Sequence, residues 1–194
     1  MKTLKYLFII SLVFLITGCI KRTFYPDVDD PGLSRFTAHQ YNVGTAYIKG
    51  EAYINYWPSN SSFLSTLPYP ILSKIPTNSS SDTLNFSWRI ELKDTSKASP
   101  NDYEDISIQM PIEKTFSLND LLAWNGEQLT NDMNTLVLYD KNRKQLKGTA
   151  NIFFVKIENS SAGYLYVSGL FNGNIGDSIL ITKGRFDYIV KTNL

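Results

Sequence analysis

A single cysteine, placed directly after a short apolar run, is the residue whose setting most clearly specifies a chemistry. Residues 16–19 read Ile-Thr-Gly-Cys, which is an aliphatic residue and two small residues before a thiol. A thiol can form a thioether bond to diacylglycerol, and small residues beside it leave room for a signal peptidase. The spacing therefore predicts a bacterial lipobox with lipidation at Cys19. An ordinary secretory signal with a chance cysteine is the alternative.

The residues before Cys19 have the composition of a signal peptide. Lys2 and Lys5 give a positive start, and residues 6–16 form an apolar core. This core is shorter than the roughly 20 apolar residues that a helix needs to cross a bilayer. We predict a signal peptide over residues 1–18, a lipid-anchored tether over 19–36 and one domain over 37–194. Several acyl chains would then hold the domain on a membrane.

The location of the anchor follows from the residue after Cys19, which is isoleucine and not aspartate. The sorting rule for bacterial lipoproteins then favours the outer membrane over the inner one. The sequence leaves open whether the domain faces outward or into the periplasm. We therefore expect a protein of the cell envelope whose first partner is the membrane itself.

The charge balance and the cysteine count exclude several classes of protein. The chain has 19 basic and 18 acidic residues, and removal of Lys2 and Lys5 with the leader leaves 17 against 18, a net charge of −1. Nucleic-acid binding needs clustered positive charge, so it is not expected. Lipidation of Cys19 also removes the only thiol, so thiol catalysis and cysteine–zinc sites are excluded.

Catalytic and metal-binding patterns find little support among the remaining residues. His39 is the only histidine and lies at the edge of the tether, so no Ser-His-Asp set can be assembled. Residues 27–32 are similar to the start of a calcium loop, but Pro31 and Ala38 stand where oxygen ligands are required. We therefore predict no enzyme activity, no cofactor and no metal site, and we interpret residues 27–32 as a solvated linker.

A long segment over residues 58–82 carries the candidate contact residues. It sets apolar side chains among serine, asparagine and proline, and loops of this length are often contact surfaces. A glycan, a peptide or an envelope protein could be the partner, because aromatic rings stack on sugars and apolar side chains bind peptides. The alternative is an irregular strand that packs over a sheet edge. The candidate ligand contacts are Trp57, Phe63, Leu67, Tyr69 and Ile71.

The elements that position these residues are predicted to be strands. Residues 83–92 alternate strictly between apolar and polar side chains, which indicates a strand with one buried face. Residues 43–48 and 52–57 flank a Lys-Gly-Glu turn that is typical of a hairpin. Ser117 and Asp120 form a capping-box start for one short helix.

The same alternation continues towards the C-terminus, where short strands are expected at regular spacing. Residues 105–110, 135–139, 149–157, 163–171, 178–182 and 185–190 are the remaining predicted strands. Strands of this length and spacing are typical of antiparallel structure. We therefore predict an all-β fold, as an antiparallel β-sandwich or a partly closed barrel with one short helix.

Two short motifs in the C-terminal third carry a family resemblance. Residues 167–171 read Val-Ser-Gly-Leu-Phe, and residues 184–187 read Gly-Arg-Phe-Asp. This pattern resembles the C-terminal half of uncharacterised lipoproteins common in Bacteroidota, with Leu170 where threonine is usual. The resemblance implies an all-β domain, an N-terminal lipid anchor and no assigned activity, so no catalytic residues are carried over. The Asp-Thr-Leu and Asp-Ser-Ile tripeptides also resemble the O-glycosylation acceptors of these bacteria, at Thr83 and Ser178.

The Gly-Arg-Phe-Asp motif also has a structural explanation. Gly184 allows a bend or bulge in a strand. Arg185 and Asp187 share one face of that strand, where a structural ion pair is expected, while Phe186 and Tyr188 point into the core.

These patterns predict a membrane-anchored envelope lipoprotein that acts as a non-catalytic binding or structural module. A lipocalin-like carrier of a small apolar ligand is the alternative, and it needs a barrel with an interior cavity. A hydrolase is the third reading, and it needs carboxylates gathered in a cleft.

Overall fold

The computed structural model describes residues 26–36, 38, 42–56, 70–99, 102–160 and 164–194. All of these residues belong to one compact unit of the chain. Ten strands make up most of it: β1 (Val43–Ile48), β2 (Glu51–Tyr56), β3 (Ile71–Ile75), β4 (Ser81–Arg89), β5 (Glu91–Leu92), β6 (Tyr103–Glu113), β7 (Gln128–Asp140), β8 (Gln145–Asn159), β9 (Tyr164–Ile175) and β10 (Ile179–Asn193). A 3₁₀ turn covers Thr95–Lys97 and one α-helix, α1, covers Leu118–Ala123. Within these ranges, no helix is long and apolar enough to span a membrane.

Seven of the strands close into a barrel. The hydrogen-bonded order is β3-β4-β6-β7-β8-β9-β10, and β10 pairs with β3 to complete the ring. The pairing of β3 with β10 is parallel, whereas the other neighbours in the ring are antiparallel. Closure removes the open edges that a sheet would otherwise expose. The predicted all-β fold with a barrel and one short helix is therefore confirmed.

The remaining three strands extend from the same edge of β10 that β3 occupies. Residues 181–187 of β10 pair with β1, whereas residues 191–193 pair with β3. Beyond β1 the order continues to β2 and then to β5, which follows β4 after one residue. Beside residues 191–193 of β10, β3 alone therefore lies between β10 and β4. Beside residues 181–187 of β10, the sheet continues instead through β1 and β2 to β5.

The barrel interior is filled by large side chains. Phe86, Trp88, Phe186 and Tyr188 come from β4 and β10 and are almost completely buried. Their rings contact one another, with centroids 4.8 Å apart for Phe86 and Trp88 and 5.0 Å apart for Phe86 and Phe186. Close packing of this kind contributes most of the stabilisation of a domain. The predicted burial of Trp88, Phe186 and Tyr188 in the core is confirmed.

The predicted capping box and short helix are also confirmed. The Ser117 backbone N–H donates to Asp120 Oδ2 at 2.8 Å, and α1 follows directly. Leu121 is fully buried in the core. Trp124 ends the helix and its ring lies 5.9 Å from that of Phe154 on β8. The helix thus joins β6 to β7 and covers that end of the barrel.

Local turn chemistry agrees with the sequence at two other places. The β1–β2 hairpin turns at Lys49 and Gly50, both with positive φ (54° and 82°), as a tight hairpin requires. The bulge expected at Gly184 also occurs, since the β9–β10 register shifts between Ile181 and Gly184. Two predicted strands, 178–182 and 185–190, are therefore one strand with a bulge, at which Lys183 has φ of 50°.

The structure decides between two open sequence interpretations and corrects a third. Residues 71–75 belong to the segment that was expected to be either a contact loop or an irregular strand packed over a sheet edge, and they form a strand, β3, which closes the barrel. Residues 26–36, interpreted as solvated linker, pack on the barrel instead. Leu33 is fully buried, and Asp30 and Ser34 are buried with it. The physical reason is that this segment supplies an apolar side chain and carboxylates that match groups on β10.

Candidate functional site

An open groove lies on the outer face of β7, β8, β9 and β10. It encloses about 540 Å³. Uncharged amides and two apolar side chains form most of its floor, and charged groups form one wall. We call it the amide groove and define it by Gln128, Asn151, Phe153, Leu170, Asn172, Lys183, Arg185 and Asp30.

Strand register brings the floor residues together. Phe153 of β8 lies directly opposite Gln128 of β7 and opposite Leu170 of β9, and Leu170 in turn lies opposite Arg185 of β10. Residues opposite one another on neighbouring strands share a face, so these four side chains form one row across the sheet. Their sequence numbers span 57 positions, from 128 to 185, and only the pairing aligns them.

A second row of amides runs beside the first. Asn151 lies opposite Asn172, and its Nδ2 donates to Asn172 Oδ1 at 3.2 Å. Both side chains are exposed to solvent. Each amide offers two N–H donors and one carbonyl acceptor, so one bond between them leaves further donors and acceptors available. The groove can therefore hydrogen-bond a ligand that is rich in hydroxyl groups.

The N-terminal segment forms the charged wall. Arg185 Nη1 lies 2.5 Å from Asp27 Oδ2 and donates to the Ser34 carbonyl oxygen at 2.9 Å, and Nη2 lies 2.8 Å from Asp30 Oδ2. Lys183 Nζ lies 2.5 Å from Asp30 Oδ1. We call this set of four charged side chains the latch. Arg185 thus forms ion pairs with Asp27 and Asp30 of the segment interpreted as a linker, whereas the predicted partner was Asp187.

Electrostatics in the latch favour its charged form at neutral pH. Backbone N–H donation from Asp29, together with the Arg185 guanidinium, lowers the pKa of Asp27 below its ordinary value of 3.8. Hydrogen bonding to Asp30 raises the pKa of Lys183 above 10.5. Two anions and two cations then balance one another, so the wall of the amide groove carries no net charge.

A smaller groove lies on the outer face of β4, β6 and β7. It encloses about 230 Å³ and includes Ile71, whose exposed fraction is 44%. Arg143 Nη1 lies 2.6 Å from Asp105 Oδ2 at its margin, and Arg89 pairs with Glu104. Ile71 is therefore accessible to solvent, in a groove whose margin carries two ion pairs.

The other predicted site residues have different outcomes. Cys19, His39, Trp57, Phe63, Leu67 and Tyr69 lie outside the described residues. Thr83 is half-buried within β4, between Ile75 of β3 and Pro111 of β6. Ser178 is exposed in the turn between β9 and β10. Of the two, only Ser178 therefore has the open surroundings that a modifying enzyme needs.

Across the described ranges, no group of three or more histidine, cysteine, aspartate or glutamate side chains could hold a metal ion. Asp27 and Asp30, from the stretch similar to a calcium loop, bind Arg185 and Lys183 instead. Sequence reasoning missed the amide groove. Its one local signal is the spacing of Asn151 with Phe153 and of Leu170 with Asn172, which puts each pair on one strand face.

Comparisons with protein-family models, with curated proteins and with solved structures found no match to this chain. The site must therefore be interpreted from its own geometry.

Proposed function

We propose that this chain is a lipid-anchored, non-catalytic binding module of the bacterial cell envelope, and that the amide groove binds a glycan. The observation that carries the proposal is the composition of the groove: three uncharged amides around an aromatic ring on an open face. Glycans present hydroxyl groups along their edges and apolar C–H groups on their ring faces. The amides can hydrogen-bond the hydroxyl groups, and Phe153 and Leu170 can contact the C–H groups.

The filled barrel interior favours this site over a lipocalin-like carrier. A carrier must hold its apolar ligand in an interior cavity. Here Phe86, Phe154 and Phe186 meet at the centre, with centroid distances of 5.0 and 6.0 Å to Phe186. A ligand in that position would have to displace aromatic side chains from the core. Binding on the outer face needs no such displacement.

The membrane anchor rests on the chain's first 19 residues. The positive start at Lys2 and Lys5, the apolar core and the Ile-Thr-Gly-Cys motif support lipidation at Cys19, and the isoleucine that follows Cys19 supports an outer-membrane location. The resemblance to lipoproteins of Bacteroidota supports the same reading. Conversion of Cys19→Ala should then release the protein from the membrane fraction and abolish the mass increase due to acylation. A Cys19→Ala protein that remained acylated would contradict the anchor.

Glycan binding is tested with the full chain against neutral gluco-, manno- and galacto-oligosaccharides. The Asn151→Ala/Asn172→Ala variant removes two amides from the groove, and each lost hydrogen bond is worth about 0.5–1.5 kcal/mol. Affinity should therefore fall about ten-fold, which corresponds to 1.4 kcal/mol. Asn174→Ala is the matched control, because Asn174 is an exposed amide of β9 that bonds Thr149 instead of lining the groove. Equal binding by the double variant, or no binding by any oligosaccharide, would refute the proposal.

A further inference from the structure

The N-terminal segment constrains where the amide groove lies relative to the membrane. If Cys19 carries the lipid, only residues 20–25 separate it from Pro26, where the described chain begins. Seven Cα–Cα steps span at most about 25 Å, even when fully extended. The first described residue is therefore held within that distance of the anchoring lipid.

The latch carries this constraint to the groove itself. Asp27 follows Pro26 directly, and its carboxylate contacts Arg185, which lines the groove. Asp30 lines the same groove and contacts both Arg185 and Lys183. The groove thus begins about one side-chain length from Pro26, the first described residue after the anchor. The latch end of the groove therefore lies no farther from the anchoring lipid than the extended tether and one side chain allow.

One exposed apolar side chain beside the latch agrees with this placement. Val28 lies in the turn between Asp27 and Asp30, and its exposed fraction is 90%. The fold leaves this side chain uncovered next to the two carboxylates of the latch. Burial of such a side chain at a bilayer interface is favourable. Contact between Val28 and lipid would hold the groove against the membrane.

We infer that the amide groove binds the uncharged sugar headgroup of a glycolipid in the same membrane that holds the anchor. This inference rests on the proposed glycan binding and on lipidation at Cys19. The balanced charges of the latch favour an uncharged headgroup over a phosphate. Anchored protein and glycolipid share one surface, so each meets the other at an effective concentration in the millimolar range. A modest intrinsic affinity is therefore sufficient.

The test uses the full lipidated chain in phospholipid nanodiscs. Lipidation consumes the only cysteine, so a Thr130→Cys variant takes one fluorescent label on β7, opposite Asn151 at the groove margin. Discs contain phosphatidylcholine alone, or with glucosyl or galactosyl diacylglycerol, or with phosphatidylglycerol. Methyl glucoside and methyl galactoside supply the free-sugar comparison. Ser80→Cys, in the exposed turn between β3 and β4, is the control label position.

The expected result is a fluorescence change at residue 130 that half-saturates at a glycolipid concentration at least ten-fold below that of the free glycoside. It should disappear in the Asn151→Ala/Asn172→Ala variant and be absent from the label at residue 80. If the label responded to the free glycoside at an equal or lower concentration, the inference that the ligand is a membrane glycolipid would be wrong. The proposed glycan binding would still hold. A response to phosphatidylglycerol alone would overturn the uncharged headgroup. No response to either sugar form would count against both proposals.

Discussion

The replacement of Arg185 by methionine tests whether the N-terminal segment is part of the folded domain. Methionine keeps the length and apolar stem of the side chain but removes the guanidinium. The change deletes ion pairs to Asp27 and Asp30 and one hydrogen bond to the Ser34 carbonyl oxygen. It leaves the two carboxylates without the cation that they share, although Asp30 still has Lys183. The segment should then lose its docking on β10.

The magnitude follows from how deeply the Arg185 guanidinium is buried. Its side chain is only 13% exposed, against 55% for Lys183. Removal of one partner from a fully buried ion pair costs about 3–5 kcal/mol, while exposed pairs contribute little. Because some solvent reaches the latch, we expect Arg185→Met to lower the free energy of unfolding by about 2–4 kcal/mol. For a domain of this size that corresponds to a fall in Tm of roughly 4–16 °C.

Urea and thermal unfolding, followed by tryptophan fluorescence, provide the assay. Lys183→Met is the matched comparison from the same latch, and it should lose less than half as much stability as Arg185→Met. Arg35→Met alters an exposed arginine of the same segment and should leave Tm unchanged. The reasoning would be refuted if Arg185→Met and Lys183→Met were equally stable, because burial would then not govern the strength of the latch.

Three further predictions follow from the same structure. Acid should undock the N-terminal segment. Because the pKa of Asp27 is lowered in the fold below 3.8, its contribution to stability is complete above about pH 5 and is lost as pH falls below that ordinary value. The protection factor of the Leu33 amide against hydrogen exchange, corrected for the intrinsic rate at each pH, should therefore be smaller in acid than at pH 6. Phe86→Ala should lower the free energy of unfolding by about 3–5 kcal/mol, because it removes a large side chain from the barrel centre. Phe153→Ala should weaken oligosaccharide binding and lower the free energy of unfolding, measured in urea, by much less. Equal losses of stability would be inconsistent with a surface role for Phe153. Gly169→Ala should lower the free energy of unfolding by about 3 kcal/mol or more. A Cβ at this position would lie 2.3 Å from the Phe153 carbonyl oxygen and 2.4 Å from the Phe186 ring. A variant of unchanged Tm would show that β8 and β9 can separate at low energetic cost.

The sequence was most informative where a local pattern has a local cause. Strict alternation over residues 83–92 predicted one strand, and Leu84, Phe86 and Trp88 indeed face the core. The structure divides this stretch at Ile90 into β4 and β5, which pair with different strands. The helix cap at Ser117 and the bulge at Gly184 were predicted correctly for the same reason, since neighbours along the chain determine both. Strand lengths were underestimated. Hydrogen bonds to neighbouring strands extend β7 to Gln128–Asp140, well beyond the predicted 135–139.

Barrel closure could not be inferred from local pattern. Residues 71–75 contain no clear alternation and have proline-rich neighbours, so a loop and an irregular edge strand both remained open. They become a strand because β4 offers one edge and the end of β10 offers another, and backbone groups placed between two edges are satisfied only by pairing with both. That requirement exists only after the other six strands have assembled.

By itself, the sequence determined the all-β class, the hairpin, the helix cap and the facing of the apolar side chains. The tertiary structure alone decided the closed barrel, the amide groove and the latch. The groove depends on register, and a one-residue slip would turn Phe153 and Leu170 to the other face. The latch joins residues 155 and 158 positions apart. No pattern along the chain specifies such a pairing, because it depends on where the folded β10 presents its guanidinium to a segment that is neither a helix nor a named strand.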